Sequence, residues 1–229
     1  MRIFKVLCTI CARRGSKGLK NKNIKVINGK PLFAYTFELA KKIDFIDNII
    51  VSTDSDFIKK YVGKNYSWFL RKKKLSNDKV SKIDVIKDAV LKAEKKFLVK
   101  YDIILDLDVT SPLRIKKDII NSYNLFKKKK YKNLFSVTQS AKNPYFNMIE
   151  LINNKVKLCK NNFTYLTRQS APKVYDMNAS IYFWTRGALF SKNPLFNKKT
   201  GIYIMPKQRS FDIDSIIDFV IVKNLLNEK

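Results

Sequence analysis

Apolar and polar residues alternate along this chain in two rhythms. Short apolar runs of strand length are separated by segments whose apolar positions recur every three or four residues. Residues 3–10, "IFKVLCTI", read as a buried strand. "GKPLFAYTFELAKK" reads as a helix with Pro31 near its first position, where a missing N–H costs little. "NIIVSTD" at 48–54 is a second strand, "DFIKKYV" a short helix and "WFL" a brief third strand. Ser81 with Asp84 forms an N-terminal capping pattern, and Ile83, Ile86, Val90, Ala93 and Phe97 follow at helical spacing. A strand at 101–109, a helix at 115–128 and the strand "NLFSVT" complete the series.

Strands and helices linked this closely imply parallel pairing with right-handed crossovers. The expected fold is α/β: an open, mostly parallel, doubly wound sheet. Ligands of such sheets sit beyond the carboxyl ends of the strands. The loop at 11–23, "STD" and "DVTSPLR" all fall at that edge. From about 143 the pattern changes. "NPYFNMIELINNKVKLC" reads as two strands joined at "NNK" and "YLTRQSAPKVYDMN" as irregular, before "ASIYFWTR" and "GIYIMP" return as strands. "FDIDSIIDFVIVKNLL" supplies an acidic turn and an amphipathic helix. The expectation is one domain over 1–229 with an embedded arm at about 143–180.

Composition narrows the function. A chain of 229 residues with 45% apolar content can bury a sizeable core. No apolar run approaches the roughly 20 residues that span a bilayer, and the N-terminal stretch reads as a strand and not as a leader, so a cytoplasmic protein without a membrane partner is expected. The net charge of +28 raises nucleic-acid binding, but lysines are spread from end to end and aromatics do not interleave with them as single-strand binding requires. An enzyme with an anionic substrate is the stronger expectation, and no nucleic-acid partner is expected. There is no histidine, which removes His metal sites and Ser-His-Asp triads together. Cys8 and Cys11 have C-x-x-C spacing, yet on a strand residues three apart face opposite sides, so they are read as packing residues.

Two segments carry the chemistry. "CARRGSKGLKNKN" places Arg13, Arg14, Lys17, Lys20 and Lys22 around Gly15 and Gly18, with Asn23 as an amide donor. Arg grips phosphate bidentately and Lys as a point charge, while glycine permits positive φ or close backbone approach, so the loop suits a row of phosphates. In "FDIDS", Asp212 and Asp214 share one face if the stretch is extended, and two such carboxylates suit Mg²⁺. Capping of the helix by Asp214 is the competing reading. Asp106 and Asp108 of "LDLDVTSPLR" are a rival metal pair, or Asp108 accepts hydrogen bonds from a sugar; Ser111 and Arg114 are candidate anion contacts.

"ARRGSKGLKNKN", "IIVSTDS", "TSPLR", "RQSAPKVYDMNASIY" and "FDIDSIIDF", in that order over nearly the whole chain, resemble the acylneuraminate cytidylyltransferases, the CMP-sialic acid synthetase family. "LDLDVTSPLR" and "NPYFN" most resemble the branch that activates legionaminic acid. The resemblance implies transfer from CTP to a nonulosonic acid, giving the CMP-sugar and pyrophosphate. It implies that Arg13, Ser16, Lys17, Lys22, Asn23 and Arg71 bind the nucleotide, and that Asp212 and Asp214 hold Mg²⁺. It places Asp108, Arg168, Gln169, Asn178 and Tyr182 around the sugar. It further implies a homodimer whose arms complete the neighbouring site. Another sugar nucleotidyltransferase, acting on Kdo or a hexose phosphate, is the alternative.

Overall fold

A computed structural model of the chain describes residues 4–15, 18–64, 66–72, 75, 80–160 and 165–228. The expected alternation is there. In chain order the elements are β1 (Val6–Ala12), a 3₁₀ turn (Lys22–Ile24), β2 (Val26–Ile27), β3 (Lys30–Pro31), α1 (Leu32–Ala40), β4 (Asn48–Thr53), α2 (Asp56–Val62) and β5 (Ser67–Leu70). There follow α3 (Lys82–Phe97), β6 (Ile103–Leu107), α4 (Lys116–Lys128), β7 (Asn133–Gln139), β8 (Ile149–Ile152) and β9 (Lys155–Leu158). The last are β10 (Tyr175–Thr185), α5 (Arg186–Leu189), β11 (Thr200–Ile204) and α6 (Ile216–Asn227). Pro31 stands as the N-cap of α1, and the Ser81 hydroxyl accepts from the Ile83 N–H at the start of α3.

The main sheet has seven strands in the order β11-β7-β10-β6-β1-β4-β5. β10 runs antiparallel to β6 and β7, and the remaining pairs are parallel. Helices pack on both faces, because β1 sends alternate side chains to different cores. Val6, Cys8 and Ile10 join Phe33 and Phe37 of α1, while Leu7 joins Ile86 and Val90 of α3. Cys11 packs beside the second cluster. The two thiols therefore face opposite sides, as strand period requires.

Two irregularities shape the functional edge. β10 slips register against β7 between Met177 and Tyr182, with Ala179 at φ 51°. At 143 the chain leaves the sheet. Buried Asn143 pins that exit: its side chain donates to Pro172 O at 2.9 Å and accepts from the Tyr145 N–H at 2.9 Å. Beyond it β8 and β9 form a separate two-stranded hairpin, turned by Asn153 and Asn154 at φ 50° and 60°. Both residues in the left-handed region give a turn whose twist matches the strands it joins. Among the described residues no helix is long and apolar enough to cross a membrane.

Candidate active site

The carboxyl ends of β1, β4, β5 and β6 border a cleft of about 260 Å³, lined among others by Arg13, Lys22, Asn23, Arg71, Lys82 and Asp108. Each lining group is set by the element it leaves. Asn23, buried in the 3₁₀ turn, donates to Arg13 O at 2.9 Å and folds the opening loop back on itself. The Arg14 N–H donates to Asp54 at 2.6 Å, which ties that loop to the end of β4. Arg71, just past β5, is buried, and its guanidinium is braced on Ser52 O at 3.1 Å. Ser16 and Lys17 lie outside the described residues.

The acidic segment closes the same cleft. Ile213 is buried and its N–H donates to Thr110 O at 3.0 Å, so Asp212 and Asp214 flank a residue pointing into the core and share the other face. Lys22 Nζ meets Asp214 Oδ1 at 2.7 Å. Gly18 packs directly on the Asp214 carbonyl, where a Cβ would collide with backbone. Close approach, and not a positive φ, is the use of this glycine. Helix capping falls mainly to Ser215 and Asp218, which form the reciprocal box of α6. Burial, then the charge of Asp108, pushes the Asp212 carboxyl up to about 6. Its Oδ1 is buried with no hydrogen-bond partner among the described residues.

The rival acidic pair has a different solution. Lys82, in the first turn of α3, puts its ammonium 2.9 Å from Asp106 Oδ2 and 2.5 Å from Asp108 Oδ2. A protein cation thus stands where a metal shared by Asp106 and Asp108 would stand. Thr9 donates to the other oxygen of Asp106 at 2.6 Å, and Thr110 donates twice to that of Asp108, at 3.0 and 2.8 Å. Burial opposes the Asp108 charge, yet Lys82 and Thr110 overcome it and hold the carboxyl at about 2. The ammonium lies 5.3 Å from the ring centroid of Tyr182, which itself stacks on Trp184. Sequence reasoning missed Lys82. Its signal was a lysine at the start of a helix, where the dipole disfavours a cation.

Several expectations change on inspection. Arg114 does not face an anion: it is buried, donating to Ser180 O at 2.6 Å, Thr36 Oγ1 at 2.9 Å and Asp108 O at 3.1 Å. Burial lowers its pKa to about 10. Ser111 is also buried, bonded to Asn178 O at 3.4 Å. Asn178 sits at the β10 slip with both ends of its amide engaged, accepting from Ser136 at 2.7 Å and donating to Ser210 at 3.1 Å. Arg168 and Gln169 are exposed and do not line the cleft; Arg168 borders a separate depression near Ser140, Met205 and Lys207. Cys11 lines the cleft, but burial, then the Asp106 charge, pushes its thiol up to about 12, which keeps it protonated.

Among the described residues there is no group of three or more His, Cys, Asp or Glu side chains placed to hold a metal. Mg²⁺ needs less, since one or two carboxylates with substrate phosphates suffice. The unpartnered Asp212 oxygen beside Asp214 fits that requirement.

Known proteins resemble this chain along nearly its whole length. A cytidylyltransferase family model matches residues 7–228. A post-translational flagellin modification protein B of Campylobacter coli is 44% identical over 227 residues, 98% of this chain and 96% of its own. A CMP-N,N'-diacetyllegionaminic acid synthase of Campylobacter jejuni is 44% identical over 228 residues, with the same coverage. An N-acylneuraminate cytidylyltransferase of Escherichia coli is 31% identical, over 98% of this chain and 53% of its own. Among solved structures, a CMP:2-keto-3-deoxy-manno-octonic acid synthetase complexed with CTP has a TM-score of 0.68 at 16% identity, covering 98% of this chain and 99% of that one. The chain belongs to the cytidylyltransferase family. It is a nucleotidyltransferase with a Rossmann-like, mostly parallel sheet.

Proposed function

We propose that the protein activates a nonulosonic acid of the legionaminic or sialic acid type with CTP, giving the CMP-sugar and pyrophosphate. The observation that carries this reading is the meeting of Arg13, Lys22, Asn23 and Arg71 with Asp108 in one cleft, closed by Asp212 and Asp214. The 44% identity to a CMP-N,N'-diacetyllegionaminic acid synthase along nearly the whole of both chains supports the choice of acceptor.

The triphosphate lies on the opening loop, held by Arg13 and Lys22 together with Ser16 and Lys17. Asn23 keeps the loop folded, and Arg71 borders the cytidine. Lys22 exchanges Asp214 for a phosphate oxygen, so its charge falls on the departing pyrophosphate. Asp212 and Asp214 would hold Mg²⁺, which supplies further charge neutralisation on the phosphates. The anomeric hydroxyl of the sugar attacks the α-phosphorus in line, the bond from that phosphorus to the β-phosphate oxygen breaks to release pyrophosphate, and the hydroxyl proton is lost to water, while the chain contributes position and charge. Asp108 and Tyr182 face the sugar, and Asn178 holds the slip in β10 that aims Tyr182. Arg168 and Gln169 reach the cleft of a second copy in a homodimer, where the Arg168 fork meets the sugar carboxylate. The exposed Ile149, Leu151 and Val156 of the hairpin support that assembly, since an isolated two-stranded hairpin is marginal in water. The reaction runs in the cytoplasm, where CTP is made.

Pyrophosphate release from legionaminate and CTP with Mg²⁺ is the test, with ATP, GTP and UTP as controls. Release with CTP alone among the nucleotides is expected. Absence of release with every nonulosonic acid tried overturns the reading.

A further inference from the structure

Asp212 and Asp214 stand on backbone outside every strand of the sheet. The chain reaches them from β11, at the sheet's edge, through a 3₁₀ turn (Lys207–Arg209). Such a stretch takes its direction from tethers. The Met205 N–H donates to Val137 O at 2.7 Å, Ser210 Oγ accepts from Asn178 at 3.1 Å, and the Ile213 N–H donates to Thr110 O. The charged tether is Arg209. Its Nε donates to Asp118 Oδ2 and its Nη2 to Asp118 Oδ1, both at 2.9 Å.

Asp118 lies in the first turn of α4, with its side chain 1% exposed. Its Oδ1 also accepts from the Tyr203 hydroxyl at 3.3 Å, and its Oδ2 from the Ile115 N–H at 3.1 Å. Ile115 ends the loop that begins at Thr110, which bonds Asp108. One buried carboxylate thus joins the two segments that meet at the acidic side of the cleft. Neither Asp118 nor Arg209 lines the cleft itself.

We propose that Arg209 and Asp118 are a positioning couple for the carboxylates of Asp212 and Asp214. The inference rests on the metal assignment proposed above. Mg²⁺ demands near-ideal octahedral geometry, so the direction of each carboxylate matters as much as its presence. A planar guanidinium bonded twice to one carboxylate fixes rotation as well as distance, which a lysine cannot do. The fork sits three residues before Asp212 and sets the heading of the chain there. A buried ion pair gains little stability over a well-packed apolar pair, so geometry is what this one supplies. The chain carries a matched comparison. Arg186 forks onto Glu94 at 2.7 and 2.9 Å, between α5 and α3, and neither residue lines the cleft.

The test compares CTP affinity with Mg²⁺ and in EDTA, by calorimetry without the sugar, so that no turnover enters. Wild type should bind CTP more tightly with Mg²⁺. Arg209→Lys keeps the charge and loses the fork. It should lose most of that gain, keep its affinity in EDTA within about twofold, and in the full reaction turn over about 10- to 100-fold more slowly, the usual cost of an outer-shell partner. Arg186→Lys should lower the melting temperature and keep the whole gain. Where Arg209→Lys fails to fold, Asp118→Asn/Arg209→Gln removes both charges, leaves none buried alone and carries the same expectation. An unchanged gain in a folded variant overturns the inference, as does an equal loss in Arg186→Lys or a loss of affinity in EDTA. A wild type that gains nothing from Mg²⁺ is a separate result, which removes the metal assignment and this inference with it.

Discussion

The nucleotide half of the cleft and the arm solve the same problem in opposite ways. Around the opening loop several described groups are held by bonds within the chain. Asn23 folds the loop, Asp54 ties it to β4, Ser52 braces Arg71 and Asp214 meets Lys22. The arm is pinned at its root by Asn143. Its hairpin leaves Ile149 and Leu151 65% and 68% exposed, and Arg168 bonds to Ser140 O at 3.2 Å, outside the cleft. One region is organised by the fold of a single chain; the other carries apolar surface and a guanidinium that this chain's own cleft does not use. A triphosphate has the same charges in every reaction, so its site can be rigid. An acceptor sugar varies, and on the function proposed above part of its recognition falls to a segment that can change without disturbing the sheet.

The comparison can be broken at either end. Lys22→Met should have the largest effect, lowering kcat/KM for CTP by roughly two to three orders of magnitude, the usual cost of one charge-stabilising donor. Thermal melts should barely move, because an ion pair to an exposed carboxylate is worth about 0–1 kcal/mol. Arg168→Ala should raise KM for the sugar about ten- to a hundredfold and leave KM for CTP unchanged, in keeping with a charged hydrogen bond of about 1.5–3 kcal/mol. Equal changes in both constants would show that the two regions are not separate. On the homodimer proposed above, wild type should sediment as dimers, and Leu151→Glu should give monomers and copy the sugar defect of Arg168→Ala; monomers with normal sugar kinetics refute the shared site.

The smallest effect concerns stability. In the fold Asp212 gains its proton near 6, above the ordinary carboxylate value of 3.8. The folded chain thus binds that proton more tightly than the unfolded chain. The stability it contributes is complete below about 4 and is lost as pH rises through about 6. Asp212→Asn in EDTA should therefore stabilise the protein at pH 7 by on the order of 1 to 2 kcal/mol, allowing for solvent screening at the cleft mouth. The gain should vanish at pH 4. A variant less stable than wild type at pH 7 would contradict the assignment of strain to this carboxylate.

Most strands and helices were legible because they announce themselves locally. Apolar runs bounded by polar turns gave β1, β4, β6 and β7, and the "DFIKKYV" helix runs over Asp56–Val62 as read. The opening loop and the "FDIDS" pair were legible because charge of one sign is concentrated in each. What could not be read depends on direction. Arg114 leaves the sheet edge as Arg13 does, yet its guanidinium turns inward to satisfy backbone carbonyls, and sequence does not record which way a side chain turns. Asn178 appeared as a polar residue free for a ligand, while the slip in β10 consumes its amide. Lys82 was hidden because its partners lie 24 and 26 positions downstream on another element, beyond the reach of helical or strand spacing.

The packing of Gly18 on the Asp214 carbonyl, with Lys22 and Asp214 separated by 192 residues, bears on how the cleft comes into being. Synthesis delivers the opening loop well before the acidic segment. The sheet can begin to assemble while the chain is still being made, but the loop has no surface to close against until that segment follows. Assembly of the cleft thus waits on the acidic segment, and a nascent chain holds the opening loop without the carboxylates that finish it.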